Sequence, residues 1–196
     1  MSIGTVTLAL TQDPANRGEE DALIARCKAG DKKAFGALVK RYAGPAMGTA
    51  QMMLNCHMDA QDVSQEAFVK AWRNIKRFDG RSRFYTWFSV ILRNCCRDRL
   101  RKRRGKETAE LTEGHVDDNP FFDPHGRVET DERCGRIRQA ILKLPPIHRE
   151  VIIMSHFQDL SYKQMATELG IPIGTVTSRL HAARNALRGL LEGEET

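Results

Sequence analysis

The stretch LSYKQMATELGIPIGTVTSRLHAARNAL, residues 160–187, constrains the fold more than any other part of the chain. Ser161 stands where a helix N-cap is wanted, and Gln164, three residues on, can reach back to it. Leu160 and Met165 occupy the flanking apolar positions of a hydrophobic staple. Gly170 can take the left-handed conformation that ends a helix, and Pro172 leads into the next one after a turn of only a few residues. In that second helix, near residues 173–185, Val176, Leu180, Ala183, Leu187 and Leu190 recur at helical spacing and predict a buried stripe. Thr175, Thr177, Ser178, His181 and Arg184 then fall on outward arcs, with Arg179 beside the stripe. Two short helices joined in this way form a helix-turn-helix.

A helix face of short hydroxyl side chains with His and Arg suits a major groove, where side chains must clear the phosphates and reach base edges. The competing reading is a plain helical hairpin with a solvated polar face. The coincidence of capping pair, glycine and short turn favours the first.

The chain has 196 residues, the length of two small domains. Aromatic residues make up 7% of it, and alternating runs of Val, Ile and Thr are nearly absent, so an all-α architecture is expected. Its net charge of +6 is unevenly spread. Residues 1–105 hold 20 Lys and Arg against 10 Asp and Glu, residues 106–128 hold 2 against 6, and residues 129–196 hold 9 against 9. The basic excess belongs to the first part.

Residues 1–18, with Pro14, Asn16 and Gly18, read as a flexible leader. Leu23, Ile24 and Cys27, then Phe35, Leu38, Val39 and Tyr42, predict two amphipathic helices broken at Gly30 and Asp31. Asp59 is the expected N-cap of a further helix that buries Val63, Phe68, Ala71, Trp72 and Ile75 and ends near a turn at Asp79 and Gly80. The segment FYTWFSVILRNCCRDRLRKRR, residues 84–104, predicts one helix with Trp87, Ile91, Cys95 and Arg99 on one face. Residues 106–128 are acidic and broken by Pro120 and Pro124, as an interdomain linker would be. Helices are expected around residues 129–144 and, after Pro145 and Pro146, in IHREVIIMSHF with Val151, Ile152 and Phe157 inward. The expected organisation is therefore two small helical domains, 19–105 and 129–192, joined by a flexible acidic linker, with a tail at 193–196.

Between Arg93 and Lys106 lie eight Lys and Arg and one acidic residue, Asp98, enough to neutralise several phosphates. A solvated helix end would also favour cations there, through the macrodipole. Phe84, Tyr85 and Trp87 just upstream weigh towards nucleic acid, because unpaired bases stack on aromatics beside a positive groove. Core packing competes for Trp87.

Five cysteines without a CxxC pair indicate neither a disulfide framework nor a zinc site. His148, His156 and Cys27 are not set among carboxylates or cysteines at metal or triad spacing, so no catalytic residue, metal or cofactor is expected. The opening MSIGTVTLALTQD lacks a basic n-region, and no apolar run approaches the ~20 residues that span a bilayer. A cytoplasmic protein without membrane insertion is expected.

Two long stretches, DAQDVSQEAFVKAWRNIKRFDGRSRFYTWFSVILRNCCRDRLRK and LPPIHREVIIMSHFQDLSYKQMATELGIPIGTVTSRLHAARNALR, are similar to the second and fourth conserved regions of bacterial RNA polymerase sigma factors. With a short acidic linker and no third domain between them, the chain resembles the extracytoplasmic-function (ECF, group IV) subfamily of the sigma-70 family over residues 19–192. That resemblance implies a non-enzymatic subunit that binds core polymerase at its clamp coiled coil and flap. The subunit would recognise promoter DNA, control a stress or envelope-response regulon, and be held inactive by an anti-sigma factor.

Residue by residue, it implies that Asp62, Gln65, Glu66 and Lys70 meet the clamp. Asp79, Gly80, Arg81, Ser82 and Arg83, with Phe84, Tyr85 and Trp87, would capture a flipped base of the minus-ten element, while Arg93, Asn94 and Arg97 hold that strand. Thr175, Thr177, Ser178, Arg179, His181 and Arg184 would read the minus-thirty-five duplex. The leader before Glu19 and the pair Cys95 and Cys96 depart from the family pattern. A free-standing helix-turn-helix regulator with an N-terminal sensory or dimerisation module is the alternative, and the basic helix with its aromatic preface counts against it.

Overall fold

Helices follow one another wherever an apolar stripe and a capping signal coincide, and the computed structural model describes them at residues 14–107, 132–158 and 160–192. Among these residues the only regular secondary structure is helical, as expected. The chain divides into two compact units, which among the described residues hold residues 14–107 and 132–192. The expected linker beyond residue 107, the tail at 193–196 and the leader up to residue 13 lie outside the described residues.

The N-terminal unit contains α1 (Pro14–Lys28), α2 (Lys32–Leu54), α3 (His57–Asn74), a 3-10 turn (Ile75–Arg77) and α4 (Phe84–Glu107). Helix α1 starts inside the expected leader, because Pro14 supplies a preset helical φ and the first position needs no N–H donor. Gly30, with φ +95°, makes the break that the sequence signals. Asp31 then caps α2 by accepting from Lys33 N at 2.8 Å and Ala34 N at 3.1 Å. Those amides and the Arg26 guanidinium hold the Asp31 carboxyl below the usual carboxylate range.

Helix α2 runs on through Pro45, which lacks the N–H for a bond to the preceding turn. Burial of Ala46, Thr49, Ala50, Met52, Met53 and Leu54 beyond it carries the helix to Asn55, where φ is +50°. The core collects Leu38, Val63, Phe68, Phe84, Phe88 and Leu92. Phe68 and Phe88 stack at 4.4 Å and lock α3 to α4.

Two expectations for this unit need correction. Asp59 is not the N-cap of α3. The helix begins at His57 behind Cys56, which makes no side-chain capping bond, and the Asp59 carboxylate is taken up by guanidinium groups of α4. Nor is the expected face of α4 buried as a whole: Cys95 is buried, but Trp87 and Ile91 stay partly exposed, and the buried arc runs through Phe84, Phe88, Leu92 and Cys96, flanked by Tyr85, Ser89 and Arg93.

The C-terminal unit contains α5 (Glu132–Lys143), α6 (Pro146–His156), α7 (Tyr162–Leu169) and α8 (Ile173–Glu192). Pro146 sits at the first position of α6, and buried Arg149 donates to the Leu142 and Leu144 carbonyls at 2.6 and 3.0 Å, closing the C-terminus of α5. The expected capping box is present. Ser161 N donates to Gln164 Oε1 at 2.8 Å, and Gln164 N donates to Ser161 Oγ at 3.3 Å. Gly170 ends α7 with φ +65°. Met165, Val176, Leu180 and Ala183 pack with Ile141, Leu144, Val151, Ile152, Met154 and Leu160 into one core, and Phe157, Leu187 and Leu190 lean on it. Replacing Ser161 by alanine is expected to destabilise this unit by about 1 kcal/mol, measured by urea denaturation; an unchanged midpoint would show that water replaces the cap.

Candidate nucleic-acid interface

On the N-terminal unit, residues 79–83 form an exposed loop between two buried rings, Phe78 at 2% and Phe84 at 0% exposure. Gly80 takes φ +76°, which L side chains rarely adopt. The turn is tightened by Arg81 N donating to Asp79 Oδ1 at 3.0 Å, and the Arg81 side chain pairs with the same carboxylate at 3.3 Å. Asp79, Gly80, Arg81 and Ser82 are solvent-exposed and Arg83 is half-buried.

The aromatics that follow separate into two roles. Phe84 and Tyr85, expected to stack on a base, are core residues. Tyr85 stacks on Tyr42 at 5.3 Å, and its hydroxyl lies 3.2 Å from Thr49 Oγ1. Burial pushes the Tyr85 hydroxyl pKa up, so it stays neutral. Trp87, expected with them to meet a base although core packing competes for it, is the one left partly accessible, held 5.2 Å from Phe78 and 5.8 Å from Phe84. Arg93 likewise cannot hold a strand from where it sits. It is 0% exposed and donates to Ser89 Oγ at 3.2 Å, because its position on α4 falls one turn beyond Ser89 on the inward arc. Asn94 is exposed and accepts from the half-buried Arg97 at 3.0 Å, so these two do share an outward surface.

The second half of α4 runs antiparallel to the first half of α3, and the seam between them is electrostatic. Arg99 and Arg103 each approach Asp59 to 2.6 Å, and Arg99 also reaches Asp62 at 3.5 Å. Lys70 pairs with Glu66 at 2.7 Å and donates to Cys95 Sγ at 3.4 Å. The Lys70 ammonium keeps the Glu66 carboxyl below its ordinary value, and Glu66 raises Lys70 in turn. Some of the basic excess is therefore committed within the fold. Asp62, Gln65 and Glu66 stay exposed on α3, and the sequence reading missed that Met58 and Val69, 64% and 50% exposed, lie on the same helix surface. Residues 58, 62, 65 and 69 follow the helical repeat, which is the signal that could have found them.

On the C-terminal unit, Thr177, Ser178, His181 and Arg184 are exposed along α8, while Thr175 and Arg179 are half-buried at its margins. The hydroxyls rest on their own helix, Thr177 Oγ1 on the Ile173 carbonyl at 3.1 Å and Ser178 Oγ on the Thr175 carbonyl at 3.0 Å. His181 and Asn185 side chains meet at 3.0 Å. Ile173, 49% exposed, leaves an apolar side chain open to solvent at the leading end of α8, which the polar pattern did not suggest.

The class defined by these features is an all-helical protein with a helix-turn-helix unit and a basic helical unit that presents a tight exposed loop. Residues 38–106 match sigma-70 region 2, and residues 134–187 match sigma-70 region 4. The chain is 36% identical over 182 residues to the RNA polymerase sigma-H factor of Pseudomonas aeruginosa, covering 89% of this chain and 94% of that protein. It is 35% identical over 175 residues to the ECF RNA polymerase sigma factor SigW of Bacillus subtilis, covering 84% and 92%. Among solved structures it resembles sigma factor RpoE in complex with the anti-sigma factor NepR from Bartonella quintana. That match has a TM-score of 0.67 and 26% identity over 82% of this chain and 98% of that one. The chain belongs to the extracytoplasmic-function group of the sigma-70 family.

Proposed function

We propose that this protein is a dissociable promoter-specificity subunit of RNA polymerase. It binds the core enzyme, recognises minus-thirty-five and minus-ten elements, and helps to open the duplex at the second. The observation that carries the reading is the presence in one chain of an exposed helix-turn-helix face on α8 and an exposed loop, residues 79–83, leading into the basic helix α4. Neither alone distinguishes a sigma factor from an ordinary regulator. The reading is supported by the match of both regions to the sigma-70 family.

In this role α8 reads duplex edges through Thr177, Ser178, His181 and Arg184, with Thr175 and Arg179 at the rim. Residues 79–83, Trp87, Asn94 and Arg97 hold the separated strand. Unpairing a base costs a few kcal/mol, and capture of the extruded base offsets it, so no bond-making residue is needed. Asp62, Gln65, Glu66 and Lys70 meet the polymerase clamp, and the C-terminal unit meets the flap. An anti-sigma factor is the expected inhibitor, by analogy with the RpoE–NepR complex. No helix among the described residues is long and apolar enough to cross a membrane, in keeping with action on cytoplasmic polymerase.

Run-off transcription with purified core polymerase tests the reading. Promoter-specific transcripts should appear from a genomic template library only when this chain is added, and their absence would sink the proposal. Thr177→Ala and His181→Ala are expected to change preference at the upstream element by roughly 1–3 kcal/mol per contact. A loss uniform across upstream sequences would assign both side chains to phosphate instead.

A further inference from the structure

Phe84 opens α4, and its backbone N–H is one of the donors that the first turn of a helix leaves without an intrahelical acceptor. The bond from Trp87 N to the Arg83 carbonyl at 3.2 Å makes Arg83 the cap position, and an arginine side chain has no acceptor to offer. The acceptor comes instead from 64 residues upstream, where Glu20 Oε1 on α1 receives the Phe84 N–H at 3.2 Å. The other carboxylate oxygen receives the Tyr42 hydroxyl from α2. Glu20 is only 5% exposed, and a carboxylate withdrawn from water is tolerable only with such bonds in place. Its position at the N-terminus of α4 also sets it against the positive end of that helix's dipole.

The placement matters because Phe84 is the downstream end of the loop at residues 79–83. The upstream end is held by buried Phe78, and the loop's interior is shaped by Gly80 and the Asp79 side chain. Tyr42, bonded to Glu20, also packs 5.6 Å from the Phe84 ring and stacks on Tyr85. One side chain on α1 thus joins α2 to the residue from which the loop departs.

We propose that Glu20 is a positioning residue for promoter opening. By clamping the Phe84 N–H it sets the angle at which residues 79–83 meet the separated strand, so α1 contributes to melting without touching DNA. This inference rests on the reading of residues 79–83 as the strand-capturing loop.

The test uses holoenzyme assembled from core polymerase and the full chain as wild type, Glu20→Ala, Glu20→Gln and Tyr42→Phe. The probe is a single-stranded DNA carrying the non-template minus-ten segment of a promoter that wild-type holoenzyme selects from a genomic library. Glu20→Ala should weaken binding of this strand about tenfold, in the range of one lost specific contact, while affinity for core polymerase stays within about twofold. Glu20→Gln keeps an oxygen for the Phe84 N–H and should recover most of the loss. Tyr42→Phe withdraws only the hydroxyl and should fall between wild type and Glu20→Ala, which keeps the inference testable if the alanine variant does not fold. Strand affinity unchanged in both Glu20→Ala and Tyr42→Phe would overturn the role of Glu20 alone. So would a parallel loss of core affinity, or a glutamine variant as weak as alanine. Wild-type holoenzyme that opens promoters yet fails to bind the strand would overturn the reading of the loop, and the inference with it.

Discussion

Arg93→Ala should lower the unfolding free energy of the N-terminal unit by about 2–5 kcal/mol, the range for truncating a large buried side chain. Arg97→Ala, four residues on, should change it by no more than about 0.5 kcal/mol. The two arginines look equivalent along the chain but differ in surroundings: Arg93 has no exposed surface and donates to Ser89, whereas Arg97 lies at the surface with Asn94. Their functional effects should be reversed. Arg97→Ala should weaken binding of single-stranded minus-ten DNA by roughly 1–3 kcal/mol at unchanged stability. Arg93→Ala should affect transcription only as far as it unfolds the unit. Urea denaturation of the full chain and strand binding by holoenzyme separate the two. A stable Arg93→Ala protein with impaired strand binding would show that Arg93 reaches DNA.

The second large effect is expected at Leu180, 1% exposed at the centre of the helix-turn-helix core with Met165 and Val176 around it. Leu180→Ala removes buried methyl groups and leaves a cavity, at a cost of about 2–5 kcal/mol. A core of this size supplies only about 3–5 kcal/mol in total, so the C-terminal unit should be largely unfolded at ambient temperature. Hydrogen exchange would then accelerate throughout α5–α8 while α2–α4 keep their protection. Dependence of transcription on the upstream element should vanish. Uniformly accelerated exchange in both units would show that they fold as one, contrary to their separate cores.

Much of the fold was legible because its signals are local. The capping box of Ser161 and Gln164, the left-handed Gly170, the break at Gly30 and Asp31, and Pro146 at the start of α6 all act within a few residues of the boundary they set. The stripe of Val176, Leu180 and Ala183 could be read for the same reason. It has one apolar arc and no rival, so the outward identity of Thr177, Ser178, His181 and Arg184 followed from it.

Helix α4 was not legible in the same way. Its sequence carries two apolar arcs, one through Phe84, Phe88, Leu92 and Cys96 and one through Trp87, Ile91 and Cys95, and periodicity alone cannot rank them. Contact with Phe68 and Tyr42, residues on other helices, turned the first arc inward. That choice moved Phe84, Tyr85 and Arg93 from the candidate interface into the core and left Trp87, Asn94 and Arg97 nearer the surface.

By itself, then, the amino-acid sequence determined which segments are helical, where most of them stop, and which family the two regions belong to. These depend on backbone capping, on spacing, and on residues adjacent in the chain. Only the tertiary structure decided which face of α4 meets solvent, that Asp59 pairs with Arg99 and Arg103, and that Glu20 caps a helix 64 residues away. Hydrogen bonds and ion pairs act over a few ångströms of space, and residues that far apart in sequence come within reach only when helices pack.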